Sequence, residues 1–230
     1  MIKAVIFDMF ETLVTLFTGR TYFSEHIAAD LGQPIEAFRK CWHETEKDRT
    51  LGKYSMEEGL TITLKNLGAY SEANVALICR KRREALGDTF NDIPHESIWL
   101  LQTLREKGLK VGLITNTFSD ERDMIRSSPL YPLFDAAMIS YEQGLLKPDP
   151  EIYRRAMQAL GAEPEECLYV GDGGSHELDG ARSLGMQAIQ CTWFRDRAYE
   201  PHIPSPIFED FPHAATRQDI INFIDSQNSR

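Results

Sequence analysis

The sequence predicts an α/β fold, a doubly wound parallel sheet that carries an inserted domain of helices. Short, mainly β-branched apolar runs alternate with helical patterns through most of the 230 residues. Between about residues 16 and 86, apolar side chains instead recur only at helical spacing. With 42% hydrophobic residues, the chain is long enough to bury a large core and a small second unit.

Five apolar runs are the predicted strands of the sheet. They are apolar at consecutive positions, which is typical of strands buried on both faces of a parallel sheet. Because helical patterns separate them, right-handed crossovers are expected between neighbouring strands. The runs cover residues 2–7, 110–115, 136–140, 168–171 and 187–191.

The predicted helices are recognised by their periodicity and their ends. The pattern at residues 149–161 begins with Asp149 as a cap and has Pro150 in its first turn. The proline-containing stretch 199–206 is predicted to be a surface loop. Other helical patterns cover residues 95–108, 177–185 and 218–224.

The chain is predicted to divide into two units. Residues 1–15 and 87–230 form the α/β core, and residues 16–86 form the helical insert. The insert shows apolar residues three or four positions apart with no strand-like run between them. This pattern indicates four or five helices.

Composition argues against several classes of partner. The formal net charge of −10 does not favour binding of nucleic acid or an anionic membrane through a general basic surface. The four cysteines are widely spaced and form no CxxC pair, which argues against a zinc site or a disulfide framework. Cys167 and Cys191 lie in strand-like runs and are expected to be buried, reduced thiols. Since the first apolar run is too short for a signal peptide or a membrane span, we expect a soluble, cytoplasmic protein. The oligomeric state is left open.

Polar side chains stand at the ends of several predicted strands, where open α/β sheets bind their ligands. Singly, each is explained by a turn, a helix cap or a solvated cation. Together they supply a carboxylate nucleophile, hydroxyl and amide donors, a cation and an acidic pair, which phosphoryl transfer requires. They are Asp8, Thr115, Asn116, Lys147, Asp172 and Glu177.

These motifs, in order from Asp8 to Ala181, resemble the four motifs of the haloacid dehalogenase-like hydrolase superfamily. The resemblance implies a Rossmann-like core, and the helical insert is similar to the family's small cap domain. It also implies a site for Mg²⁺ and, as substrate, a small phosphorylated metabolite enclosed when the cap closes. By position, Arg20 would lie over the site and bind the anionic substrate.

The resemblance also implies roles for individual residues. Asp8 matches the nucleophile, and Thr115 with Asn116 matches the phosphate-binding motif. Lys147 matches the lysine that offsets negative charge on nucleophile and substrate. The implied metal ligands are Asp8, the backbone carbonyl of Phe10, Asp172 and, through water, Glu177.

Phe10 departs from the family pattern because it occupies the position of the usual acid/base aspartate. Loss of general acid–base help typically costs about 10²- to 10⁴-fold in rate. Glu11 and His176 are candidate replacements by position, and a substrate with a good leaving group would need neither. Asp179 lies two positions too late for the metal motif and is expected to be solvated.

Three functions therefore remain open at this stage. The first is a metal-dependent phosphatase that forms an aspartyl-phosphate on Asp8. The second is a 2-haloacid dehalogenase, because the family's dehalogenases also carry an aromatic residue at the position of Phe10 and halide needs no proton. The third is a phosphate- and metal-binding module without catalytic activity.

Overall fold

The computed structural model describes residues 1–229, and its centre is a sheet of six parallel strands. The strands are β1 (Ala4–Phe7), β2 (Lys110–Thr115), β3 (Ala136–Ile139), β4 (Cys167–Gly171), β5 (Gln187–Cys191) and β6 (His213–Ala214). Their order across the sheet is β3-β2-β1-β4-β5-β6, so the direction of winding changes between β1 and β4. This confirms the predicted doubly wound fold and places a ligand crevice at that change of direction.

Ten α-helices accompany the strands within the described residues. Helices α5, α6 and α10 pack on one face of the sheet, and α8 and α9 pack on the other. The helices are α1 (Ser24–Asp30), α2 (Ile35–Thr50), α3 (Met56–Leu67), α4 (Glu72–Asn91), α5 (His95–Glu106), α6 (Ser119–Ser127), α7 (Ser140–Gln143), α8 (Pro150–Leu160), α9 (Glu177–Ser183) and α10 (Arg217–Asn228).

The register of the sheet brings the predicted site residues to one edge. Phe7, the last residue of β1, pairs with Leu113 in β2 and with Val170 in β4. The chain therefore leaves β1 at Asp8, close to where β2 and β4 also end. The carboxyl ends of three neighbouring strands meet at this point.

All five predicted strands are present, with ends shifted by at most two residues, but three elements were not predicted. β6 has two residues, too few to show a pattern. Helix α6 buries only Ile125 of its nine residues, and α7 is a single turn. Helix α10 is also four residues longer at its carboxyl end than the predicted 218–224.

The insert contains four helices, α1 to α4, with a hydrophobic cluster of their own. The predicted boundary at residue 86 falls inside α4, and this helix packs against both units. Val75 and Ile78 of this helix pack in the cluster of the insert, whereas Phe90 packs against the sheet. The last turns of α4 thus anchor the insert on the core.

In residues 1–229 no helix combines the length and the apolar character needed to cross a membrane. The cysteines, all within the described part of the chain, are free thiols. Cys167 and Cys191 are buried, whereas Cys41 and Cys79 are half-buried.

Candidate active site

Asp8 stands at the carboxyl end of β1 and is 7% exposed. Its backbone N–H donates to the carbonyl of Val170, at 2.9 Å, which extends the pairing of β1 with β4. The chain then turns sharply, because the N–H groups of Leu13 and Val14 both donate to the carbonyl of Met9. The turn points the Asp8 carboxylate into the crevice rather than into the sheet.

Lys147 binds two carboxylates in this crevice. Its Nζ lies 2.6 Å from Asp8 Oδ1 and also contacts Glu177 Oε2, and the lysine side chain is 3% exposed. Burial lowers the pKa of Lys147, but the charges of Asp8 and Glu177 outweigh it and the net pKa is raised. Lys147 is therefore favoured in its charged form between the two carboxylates, and its predicted role toward nucleophile and substrate stays a prediction.

Glu177, at the first turn of α9, is fully buried and holds Lys147 in place. Tyr169 OH donates to Glu177 Oε2 at 2.9 Å, and the N–H of Gly173 donates to Oε1 at 3.1 Å. Burial raises the pKa of Glu177 to about 8, although Lys147 opposes this. Both carboxylate oxygens have protein partners, so the predicted role as a water-mediated metal ligand stays a prediction.

A glycine is required beside this carboxylate. A Cβ atom on Gly171 would lie 2.0 Å from Glu177 Oε1, closer than two unbonded atoms can approach. The residue that ends β4 must therefore lack a side chain for Glu177 to reach the lysine.

Asp172 follows β4 and faces the same crevice. Its Oδ1 accepts the N–H of Gly174 at 3.0 Å, and its Oδ2 accepts Ser205 Oγ at 2.7 Å. The Asp172 carbonyl accepts the side-chain amide of Gln190 at 2.8 Å. The carboxylate thus has two donors, and the Gln190 amide fixes the backbone that carries it.

The three acidic side chains form a cluster that fits a divalent cation. One oxygen each from Asp8, Asp172 and Glu177 lies within 4.8 Å of the others. Burial raises the pKa of Asp8, Lys147 lowers it and the charge of Asp172 raises it again, with a net upward direction. Because Lys147 contacts only two of these three neighbouring carboxylates, a hard cation would relieve their repulsion, and carboxylate oxygens are the ligands that Mg²⁺ prefers. The backbone carbonyl of Phe10 as a further ligand stays a prediction.

Of the predicted phosphate-binding pair, Asn116 is hydrogen-bonded to Lys147, and Thr115 precedes it at the end of β2. Asn116 Oδ1 accepts the N–H of Lys147 at 2.8 Å, and its amide donates to the Lys147 carbonyl and to Ser175 Oγ, both at 3.3 Å. Thr115 Oγ1 is buried and has no hydrogen-bond partner among residues 1–229. An unsatisfied buried hydroxyl is a group that a ligand oxygen would satisfy.

Phe10 forms part of the wall of the crevice. Its ring packs edge-on against Phe90, with 6.3 Å between centroids. With Asn116, Lys147 and His176 it lines an open cavity of about 820 Å³. The exposed His176 lies at the rim of this cavity.

Glu11 closes the turn after Phe10. Its two oxygens accept the N–H of Leu16 and the hydroxyl of Thr15, each at 2.8 Å. Burial raises the pKa of Glu11 to about 7. Together with Asp172 and Ser205, it lines a second cavity of about 420 Å³.

Arg20 is exposed and bound to acids of α4. Its guanidinium donates to both oxygens of Asp88, at 2.7 and 2.8 Å, and to Glu84 at 3.2 Å. These carboxylates compete with any anionic substrate, so its predicted contact with substrate stays a prediction.

Sequence reasoning missed three residues that support the site. Tyr169 reads as an apolar member of β4, Gln190 reads as a strand residue, and Ser205 lies in the stretch predicted to be a surface loop. A strand's side chains alternate between faces, which places Tyr169 and Gly171 on one side, but it does not reveal their partners.

The fold and the site define an α/β protein with a carboxylate–lysine centre at the point where the sheet reverses its winding. The family model described as haloacid dehalogenase-like hydrolase matches residues 2–185. The chain therefore belongs to the haloacid dehalogenase-like hydrolase family, as its four motifs predicted, and is a hydrolase.

Two curated relatives are phosphatases. A phosphoserine phosphatase from Thermus thermophilus is 37% identical over 105 residues, which are 45% of this chain and 41% of that protein. A glyceraldehyde 3-phosphate phosphatase from Methanopyrus kandleri is 29% identical over 219 residues, 87% of this chain and 88% of that protein. The match thus spans less than half of the Thermus protein but most of the Methanopyrus one.

Solved structures share the fold. A 2-haloacid dehalogenase from Pseudomonas syringae has a TM-score of 0.69 at 22% identity, covering 99% of this chain and 100% of that one. A family enzyme from Bacteroides thetaiotaomicron, solved with magnesium and inorganic phosphate, has a TM-score of 0.63 at 20% identity. It covers 84% of this chain and 95% of that one. At these identities the likeness is one of fold alone.

Proposed function

We propose that the protein is a Mg²⁺-dependent phosphatase that acts on a small phosphorylated metabolite through an aspartyl-phosphate on Asp8. The observation that carries the proposal is the cluster of Asp8, Asp172 and Glu177 oxygens within 4.8 Å of one another, beside Lys147. A carboxylate for attack, a cation site and a fixed lysine are what phosphoryl transfer requires.

The chain's own groups divide the work as follows. Lys147 holds Asp8 Oδ1, so Oδ2 is the oxygen that attacks phosphorus, forming an O–P bond while the ester O–P bond breaks. Thr115 Oγ1 and the Lys147 ammonium stabilise the phosphoryl oxygens. Water then attacks the phosphorus of the aspartyl-phosphate, which releases inorganic phosphate and restores Asp8.

The metal supplies charge neutralisation at the transferring phosphoryl group. Asp8 and Asp172 would hold it, together with the predicted carbonyl of Phe10 and the water-mediated contact of Glu177. The Bacteroides relative, solved with magnesium and phosphate, supports this choice of ion.

Proton supply decides which substrates react well. The side chain of Phe10 carries no proton, and the two oxygens of Glu11 are engaged by Thr15 and Leu16. His176, the other candidate acid, is exposed at the rim of the cavity, so we expect the departing oxygen to leave with little help from an acid. We infer that good substrates have acidic leaving groups, as acyl phosphates, aryl phosphates and phosphoanhydrides do.

A substrate panel tests this proposal directly. Acyl, aryl and alkyl phosphates are assayed with Mg²⁺ and with excess chelator, beside the Asp8→Asn variant. We expect Mg²⁺-dependent phosphate release, fastest for acyl and aryl phosphates and absent from the variant. Undiminished activity in chelator would contradict the metal-dependent mechanism, and an unaffected Asp8→Asn variant would exclude Asp8 as nucleophile.

Dehalogenation is the second candidate function. Phe10 favours it, and so does the engagement of both Glu177 oxygens by Lys147, Tyr169 and Gly173, which leaves Glu177 less suited to a metal. Asp8 would attack C2 of a haloacid, expel halide and form an ester that water hydrolyses. Halide release from 2-chloropropionate without metal would establish this function in place of the first.

A further inference from the structure

The segment of residues 199–206, between β5 and β6, reaches the proposed metal site. Ser205 Oγ donates to Asp172 Oδ2 at 2.7 Å. The other carboxylate oxygen, Oδ1, accepts the N–H of Gly174. Each oxygen of Asp172 thus has one fixed donor, and lone pairs remain for a further partner.

Ser205 is held there by a buried amide. Gln190, on β5, is fully buried, and its Nε2 donates to the carbonyl of Pro206 at 2.7 Å and to that of Asp172 at 2.8 Å. Its Oε1 accepts the N–H of Phe208 at 3.0 Å. One side chain therefore fastens the backbone of Asp172 and the backbone on the carboxyl side of Ser205 to each other.

A second contact fixes the other side of the serine. Arg195 donates a hydrogen bond to the carbonyl of Ser205. A buried amide that makes three hydrogen bonds loses them at a high cost, so this arrangement resists displacement. The hydroxyl consequently meets Asp172 in one defined geometry.

The same segment also contacts the helical insert. Tyr199 OH is hydrogen-bonded to Thr21 Oγ1, and His202 Nε2 lies 2.8 Å from Glu25 Oε1 of α1. The segment thus contacts the insert through Tyr199 and His202, and it contacts Asp172 through Ser205. Substitutions can therefore remove the contact of Tyr199 and the contact of Ser205 separately.

We propose that Ser205 is a positioning residue that orients the carboxylate of Asp172 for metal binding. The proposal rests on the proposed function, which makes Asp172 a Mg²⁺ ligand. A hydroxyl that donates to one lone pair of Oδ2 prevents rotation of the carboxylate. The carboxylate is therefore already oriented when the cation binds. Removal of such a partner of a metal ligand typically weakens metal binding by about 10- to 100-fold.

Calorimetric titration of the full chain with Mg²⁺, without substrate, tests the proposal independently of activity. We expect Ser205→Ala to weaken Mg²⁺ binding by about tenfold, and Ser205→Thr, which keeps the hydroxyl, to restore it to within about twofold. Ser226→Ala is the matched control, because Ser226 donates only to the Phe223 carbonyl of α10. Tyr199→Phe removes the contact with Thr21 and should leave Mg²⁺ affinity unchanged.

The outcomes separate this proposal from the proposed function. If the wild-type chain binds Mg²⁺ and Ser205→Ala binds it equally well, the positioning role is wrong and the phosphatase proposal stands. If Ser205→Thr fails to restore binding, the hydroxyl is not the cause and the positioning role is again wrong. If the wild-type chain binds no Mg²⁺, both proposals fall. Thermal unfolding in chelator verifies that each variant is folded.

Discussion

The ammonium of Lys147 lies 2.6 Å from Asp8 Oδ1 and also contacts Glu177, so one buried cation joins the first motif to the last. Asp8 directly follows β1, and Glu177 begins α9, across the change of winding in the sheet. The site and the fold therefore depend on the same ion pairs. Removing the lysine should affect both catalysis and stability.

Lys147→Met tests this dependence. The variant leaves Asp8 and Glu177 without a cation in a buried site, and breaking a buried pair from one side typically costs about 3–5 kcal/mol. We expect a loss of about 3 kcal/mol in the free energy of unfolding, measured by urea denaturation at neutral pH. The double variant Lys147→Met/Glu177→Gln should recover part of that loss, and equal stability of the two variants would show that the pair is not coupled.

Arg82 is expected to hold the insert on the core. Its side chain is 10% exposed and binds Asp120 at 2.7 Å and Glu121 at 3.1 Å, both on α6. We expect Arg82→Met to lower the free energy of unfolding by about 3 kcal/mol, because two largely buried carboxylates lose their partner. Arg80→Met is the control, since Arg80 is exposed and pairs with Glu84 on the same helix, where about 0.5 kcal/mol or less is expected. Similar losses in the two variants would contradict the assignment.

Alanine substitutions at two glycines in helices of the insert should have opposite effects on the stability of the protein. A Cβ at Gly59 in α3 would lie 2.3 Å from Cδ of the buried Arg49, whereas a Cβ at Gly87 in α4 meets nothing within 4 Å. Gly59→Ala should therefore destabilise the protein by about 1–3 kcal/mol through overpacking. Gly87→Ala should stabilise it by about 0.5–1 kcal/mol through helix propensity. Thermal and urea unfolding of both variants measure the contrast, and equal signs would refute it.

Phe10→Asp should restore the missing acid. If poor substrates are limited by protonation of the leaving oxygen, the variant should hydrolyse alkyl phosphates about 10²-fold faster while changing aryl phosphates little. Phe10→Leu separates this effect from loss of the contact with Phe90 and should show no gain. The measurement is kcat for alkyl and aryl phosphates, with each variant assayed under conditions where the same fraction of the protein is folded. A uniform loss of rate in both variants would mean that the site is not limited by proton supply.

The core of the fold was predictable because its signals are local. Consecutive apolar residues marked β1 to β5, and Asp149 with Pro150 marked the start of α8. The parallel register then forces polar residues at strand ends to one edge, so Asp8, Thr115 and Asp172 could be placed together before the structure was known.

The residues that support the site were not predictable, because their role depends on contacts between distant parts of the chain. Ser205 lies 33 positions from Asp172 in a stretch whose prolines indicate only a loop. The pairing of Glu177 with Lys147 rather than with solvent likewise depends on the approach of Gly171 and Tyr169. The boundary between insert and core, which lies inside α4, was not predictable for a similar reason. A helix that continues from one unit into the other keeps the same sequence periodicity where its packing partner changes.

The proposed phosphatase mechanism requires a covalent bond between Asp8 and phosphorus. Acid quenching of a reaction with ³²P-labelled acyl phosphate and Mg²⁺, followed by mass spectrometry of the labelled peptide, detects this bond. We expect a phosphoryl group on Asp8 that turns over during the reaction and is absent from Asp8→Asn. An unlabelled Asp8 under conditions where phosphate is released, or a carbon ester on Asp8 from a 2-haloacid, would contradict the mechanism.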